Sequence, residues 1–170
     1  MVHRIGGRIR RAIVTVPSRR DLLELAVATA VFAAAATPLG LATGLFMFRP
    51  AAPIEVAQAA LIALVFPALG EEVVFRAAMV PDRRETPNAT LAIILSTTLF
   101  VFWHVVESRT FLAVNRGLFD RPEFLACAGA LGLACAVLRR RSGSIWPAVI
   151  LHWAAVIAWK AWLGGPELRI

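Results

Sequence analysis

Five apolar runs, each long enough to cross a bilayer or nearly so, decide what this chain can fold into. They cover residues 22–48, 54–80, 89–106, 122–138 and 143–163. At about 1.5 Å per residue, runs of this length match the roughly 30 Å of a hydrocarbon core. The fourth is the shortest. Hydrophobic residues make up 59% of the 170 positions and charged residues 17%, whereas a soluble domain is nearer half apolar and a quarter charged. The expectation is all-α: one multi-pass membrane domain over 1–170, a bundle of about five transmembrane helices around a polar interior. Pro38 and Gly40 soften the first run. Pro67 predicts a kink in the second, where the missing N–H opens the helix ladder.

Charge sets the expected orientation. Residues 1–20 carry Arg4, Arg8, Arg10, Arg11, Arg19 and Arg20, and "RIGGRIRRAIVTV" suits a segment lying on the membrane surface with its arginines on anionic headgroups. The apolar run behind it is far longer than the roughly 7–15 residues of a cleavable signal, so it reads as a retained first span. Together with Arg83, Arg84 and the "RRR" at 139–141, the segment marks one side as cytoplasmic. Arg49, Arg109, Arg116, Arg121 and Arg169 fall on the other, partly balanced by Glu107, Asp120 and Glu123. The expected location is the inner cell membrane, multi-pass, with the N-terminus cytoplasmic. A net charge of +7 then reflects topology, and no nucleic-acid partner is expected, because no basic face on a soluble fold is visible.

Several features read as packing. Cys127 and Cys135 stand eight apart on one predicted helix, about 12 Å by helical rise, too far for a disulfide. Ala128, Gly132 and Ala136 form a small-residue stripe of the kind that lets helices approach closely. Trp146, Trp153, Trp159 and Trp162 suit an interface belt or the core.

The chemistry concentrates in "LVFPALGEEVVFRAAMV", residues 64–80, which sets two adjacent carboxylates inside an apolar run. A charged residue at mid-membrane costs roughly 2.5–3.5 kcal/mol on insertion scales, so both must be compensated or useful. Glu72 and Arg76 are i and i+4 with the acid first, the favourable order for a pair on one helix face. Glu71 is turned about 100° away and lacks that partner. A carboxylate left free and partly desolvated is a better base than one held by a cation, which suits general-base work. His104 closes "STTLFVFWH" in the third run, with Phe100 and Thr97 behind it on the same face, and His152 lies in the fifth. Two membrane histidines and an unpaired glutamate on three spans point to one shared interior site. Counting from the cytoplasmic ends puts Glu71 and His152 about 14 Å deep and His104 about 22 Å, an offset that helix tilt has to close.

These motifs carry a resemblance. "EEVVFR" fits EExxxR, "FVFWH" fits FxxxH, and a later membrane histidine follows in "GSIWPAVILH". In this order the chain resembles the CAAX protease and bacteriocin-processing (CPBP, or Abi) family of glutamic-type intramembrane endopeptidases, over roughly residues 60–156. The resemblance implies that Glu71 and His104 activate a water against a peptide carbonyl, and that His152 helps hold the oxyanion. Glu72 and Arg76 would brace the site, with no metal and no cofactor. It implies a membrane-embedded protein or peptide as substrate and the lipid bilayer as surroundings, and it leaves the oligomeric state open. Some family members trim prenylated C-termini; others process bacteriocin-like peptides or cleave sorting tails. This arginine- and alanine-rich chain looks bacterial, which favours a membrane-embedded peptide or C-terminal anchor.

Two positions depart from the family pattern. Val156 stands where a polar residue, often asparagine, follows the last histidine by four, and Ala77 replaces a glycine common after the motif arginine. Either the oxyanion hole uses a donor besides His152, such as the Trp153 N–H or a backbone amide, or catalysis is weak or absent. Two other classes compete. Two histidines and a carboxylate can bind zinc, which gives a metal-dependent membrane hydrolase, although no HExxH helix is present. Membrane carboxylates and histidines also build proton relays, which gives a scaffold or proton-coupled carrier.

Overall fold

The computed structural model describes residues 2–86, 88–110 and 116–166. About 78% is helical and, among the described residues, no strand forms. The helices are α1 (Val2–Val14), α2 (Arg19–Ala42), α3 (Pro53–Ala78), α4 (Thr90–Arg109), α5 (Arg116–Phe119), α6 (Pro122–Ser142) and α7 (Trp146–Trp162). Four of them, α2, α3, α4 and α6, are long and apolar enough to cross a membrane. With 17 residues, α7 sits at the short end of the roughly 17–25 that a crossing needs. Their outward faces are apolar, as Leu23, Val31, Leu61, Leu91 and Phe102 show by their exposure. Such a surface has lipid, not water, as its solvent.

Local sequence sets the ends. Ser18 and Asp21 form a reciprocal capping box at the start of α2. Pro122 opens α6, and Gly143 closes it with φ of 72°, a left-handed turn that only glycine adopts without strain. The first apolar run does not continue as helix to residue 48. α2 stops at Ala42, and the chain turns back so that the Phe46 ring lies on Gly40, where an added Cβ would come within 2.1 Å of it. Residues 47–51 then run beside the end of α7, with Arg49 N–H donating to Trp162 O at 2.8 Å and Ala51 N–H to Ala161 O at 2.9 Å.

α6 is the central helix and contacts α2, α4 and α7, while α7 also contacts α3. The two basic groupings sort to opposite ends of the bundle. At one end Arg141 bonds both Glu24 carboxylate oxygens at 2.7 Å, Arg140 donates to Thr86 O at 2.7 Å, and Arg8 meets Glu85 at 2.7 Å. At the other, Arg116 lies 3.5 Å from Asp120, and Arg121 donates to Thr43 O at 2.7 Å. Arg169 lies outside the described residues. Cys127 and Cys135 are both free and buried.

Candidate active site

The helix that carries the two glutamates is irregular around them. Phe66, just before Pro67, leaves helical geometry with φ −126° and ψ 118°, which is where proline predicts the break. Wide π-helical turns at Leu64–Leu69 and Val73–Ala78 bracket a single α turn, Gly70–Glu72. Such turns re-aim side chains relative to a regular helix and recur at functional sites.

Here they aim the two carboxylates differently. Glu72 and Arg76 are both fully buried, with Arg76 Nη1 3.2 Å from Glu72 Oε1. The pair is held by charge rather than by aligned bonds, since no guanidinium nitrogen of Arg76 makes a hydrogen bond among the described residues. The same Glu72 oxygen lies 2.9 Å from His152 Nδ1. Glu71, on the neighbouring face, keeps its side chain 12% exposed and holds Oε2 3.9 Å from His152 Nε2. That oxygen has no hydrogen-bond partner among the described residues.

Phe100 ties the site together. Its ring meets His104 edge-on with centroids 4.8 Å apart and His152 edge-on at 5.7 Å, and the Arg76 guanidinium stands 4.1 Å over its centroid. A cation over an aromatic face gains electrostatic attraction, most strongly where water is excluded. The depth offset counted from sequence is thus closed, because both histidines lie against one phenyl ring. Gly132 of the small-residue stripe makes room for this arrangement: a Cβ there would sit 3.0 Å from both Arg76 Nη2 and Phe100 Cδ1.

Hydrogen bonding fixes which ring nitrogens are available. His104 Nδ1 lies 2.9 Å from Phe100 O. A carbonyl only accepts, so Nδ1 carries the proton, and Nε2 of the neutral ring keeps a lone pair. His152 follows the same logic. An ionised Glu72 only accepts, so His152 donates from Nδ1 and presents Nε2 toward Glu71.

Glu71, His104 and His152 line one cavity of about 1630 Å³, walled mainly by apolar side chains from α2, α3, α4, α6 and α7. Val156 lines it too, so the position four after His152 offers no polar group. The Trp153 indole is not available as an oxyanion donor, because it donates to Ala60 O at 2.8 Å. Ala77 is fully buried in one apolar cluster with Ala12, which accounts for a small residue there.

Some of the lining was not legible beforehand. Glu107 stands on the cavity wall one turn beyond His104, and the Trp103 side chain is within interaction reach of both Glu71 and Glu107. Trp159 also lines the cavity with its indole N–H buried and unbonded among the described residues. The i+3 spacing from His104 to Glu107 is the sequence signal for this, but charge counting sets Glu107 on the outer rim among the arginines it partly balances. No group of three or more His, Cys, Asp and Glu side chains is arranged to hold a metal ion among the described residues.

The family model of type II CAAX prenyl endopeptidases, Rce1-like, matches residues 53–158, from the start of α3 into α7. The chain belongs to this family. No curated protein and no solved structure matches. The matched region contains Glu71, Glu72, Arg76, His104 and His152, together with most of the cavity wall. As a member of the Rce1-like family it is a membrane endopeptidase of the CAAX-protease type.

Proposed function

We propose that the Rce1-like chain hydrolyses a peptide bond of a membrane-embedded substrate with a water activated by Glu71 and His104. The observation that carries this reading is the asymmetry of the adjacent glutamates. Glu72 is fully buried, does not line the cavity and has Oε1 engaged by Arg76 and His152, whereas Glu71 lines the cavity and holds Oε2, without a hydrogen-bond partner among the described residues, 3.9 Å from His152 Nε2. In the reaction, Glu71 takes a proton as the water oxygen bonds to the carbonyl carbon. That proton passes on to His152 Nε2, which then donates to the resulting oxyanion, and the C–N bond breaks as the proton is delivered to the leaving amine. His104, with Nε2 free to accept, shares the proton handling. The apolar walls, with Phe32, Phe46, Phe66 and Phe75 among them, suit an extended apolar segment arriving from the bilayer. The N-terminus is placed in the cytoplasm, on the side with the larger basic grouping.

The experiment is cleavage of candidate peptides by the detergent-purified protein, with products read by mass spectrometry. Prenylated C-terminal peptides are tested beside unmodified membrane-anchor segments. Glu71→Gln keeps shape and removes the basic oxygen, so it should abolish cleavage with unchanged thermal stability. His104→Ala should cost nearly as much, since cooperating groups fail together. His152→Ala should lower turnover while substrate still binds. EDTA and phenanthroline should leave the wild type active. Chelator-sensitive activity restored by zinc would favour the metal hydrolase, and an active Glu71→Gln would remove the glutamate from the mechanism.

A further inference from the structure

α1 touches both helices that bring the site together. Arg8 donates from Nη1 to Ala78 O at 2.9 Å, at the end of α3, and from Nε to Glu85 at 2.7 Å. The last carbonyls of a helix have no partners of their own, and α7 supplies them for α1. Ala12 O accepts the Ile145 N–H at 3.0 Å, and Ile13 O accepts the Trp146 indole at 2.9 Å. Ala12 is fully buried in a cluster that also holds Val149, with Leu69 and Val73 packed against it. Leu69 and Val73 bracket the two glutamates, and Val149 lies one turn before His152. α1 therefore splices the Glu71 helix to the His152 helix from outside the cavity.

Its outer surroundings are basic and unbalanced. Arg10, Arg19, Arg83 and Arg84 are exposed, and none has an ion-pair partner among the described residues. Links between Arg141 and Glu24 and between Arg140 and Thr86 O place all four at one end of the bundle. Inside the same end, the Arg139 guanidinium is fully buried without a hydrogen bond among the described residues, within electrostatic range of Asp82 and Glu85. Beside the arginines, Val14 and Val16 are 65% and 84% exposed. Exposed apolar side chains next to uncompensated arginines, at the rim of a membrane bundle, are complementary to anionic headgroups over acyl chains.

We propose that α1 is a strap held shut by anionic phospholipid headgroups, and that its closure sets the Glu71 helix against the His152 helix. The consequence for cleavage rests on the function proposed above; closure itself is read without a substrate. The full chain is reconstituted in nanodiscs of phosphatidylcholine alone or with phosphatidylglycerol as a third of the lipid, and hydrogen exchange is followed over residues 5–14 and 145–149. Anionic lipid should slow exchange at Ile145 by at least about tenfold, since each surface arginine contributes about fivefold near an anionic leaflet. High salt should erase the difference. Arg10→Gln, Arg19→Gln, Arg83→Gln and Arg84→Gln combined should exchange alike in both lipids. Equal exchange of the wild type in both lipids would overturn the strap, as would a lipid effect that survives in the quadruple variant. Inorganic phosphate added to neutral nanodiscs should change nothing; slowing by phosphate alone would replace the membrane surface with a free-anion site. A lipid effect on exchange with no cleavage in either lipid leaves the strap standing and removes the protease mechanism.

Discussion

Removing the Arg76 guanidinium tests whether the interior charges are matched as a set. Arg76 is fully buried, 3.2 Å from Glu72 and 4.1 Å over the Phe100 ring. Arg76→Met keeps much of the side-chain length against Phe100 and deletes the charge. Breaking a buried pair by removing one partner costs about 3–5 kcal/mol, and the lost cation–π contact adds up to about 2. The retained bond from His152 to Glu72 at 2.9 Å offsets part of this, so a net loss of about 3 kcal/mol is expected. For a chain of this size, that is a fall of about 6–12 °C in Tm, at about 2–4 °C per kcal/mol. The assay is thermal unfolding in detergent, run as a double-mutant cycle with Glu72→Gln. If the cost is stranded charge, the double variant should recover at least half of the Tm lost by Arg76→Met, because neither charge then remains. It should not recover cleavage, since His152 has lost the carboxylate that orients it. A normal Tm for Arg76→Met, or a double variant no better than the single, would refute the matched-charge argument.

Two further outcomes are expected. Cysteines placed at 84 and 141 should label from the cytoplasm and one at 116 from the opposite side, against a low background because Cys127 and Cys135 are buried; labelling of all three from one side would overturn the membrane topology. Burial pushes the Glu85 carboxyl up, but the Arg8 guanidinium and the Asp82 backbone outweigh it and hold it below its ordinary 4.5, so its stabilising contribution is present above pH 4.5 and lost as pH falls below; the Tm difference between wild type and Glu85→Gln should therefore shrink to nothing on acidification, and a constant difference would mean that the Arg8–Glu85 contact does not hold α1 in place.

Much of this architecture was legible because the bilayer simplifies the code. Apolar run length gave the long helices, and proline chemistry gave the break at Phe66 and Pro67. The Glu72–Arg76 spacing gave the pair, since i and i+4 neighbours meet on any helix. The missing parts are those that depend on helices far apart in sequence. His152 reaches Glu72 across 80 residues, and nothing in either motif specifies which nitrogen turns toward which carboxylate. The end of α2 at Ala42 leaves no mark in the sequence, because residues 43–48 are as apolar as the helix before them, while Gly40 accepting the Phe46 ring is a tertiary event. Trp153 illustrates the same limit: its position near His152 suggested an oxyanion donor, but its partner, Ala60, comes from α3.

With Val156 supplying no donor and the Trp153 indole engaged by Ala60 O, the oxyanion of the proposed reaction falls to His152. In the geometry described, His152 donates from Nδ1 to Glu72, so its neutral ring has only a lone pair at Nε2. It becomes a donor at Nε2 only after receiving a proton, and Glu71 Oε2, 3.9 Å away, is the carboxylate nearest to supply it. On the proposed mechanism, the proton lifted from water passes from Glu71 to His152 as the oxyanion forms, so the donor appears when it is needed rather than standing ready. A standing donor should therefore help. Val156 faces the cavity one turn beyond His152 and is only half-buried, so an amide there is not stranded in the core. One oxyanion donor is worth about 2.7–4 kcal/mol when well placed. Val156→Asn, which has not been positioned by a supporting shell, should still raise kcat by at least about tenfold. The gain should appear in kcat more than in KM, because the donor acts on the transition state. His152→Ala should also cost less in the Val156→Asn background than in the wild type, as two donors sharing one oxyanion are not additive. An unchanged or lower kcat in a variant with wild-type Tm would mean that the oxyanion is not held from this face of α7.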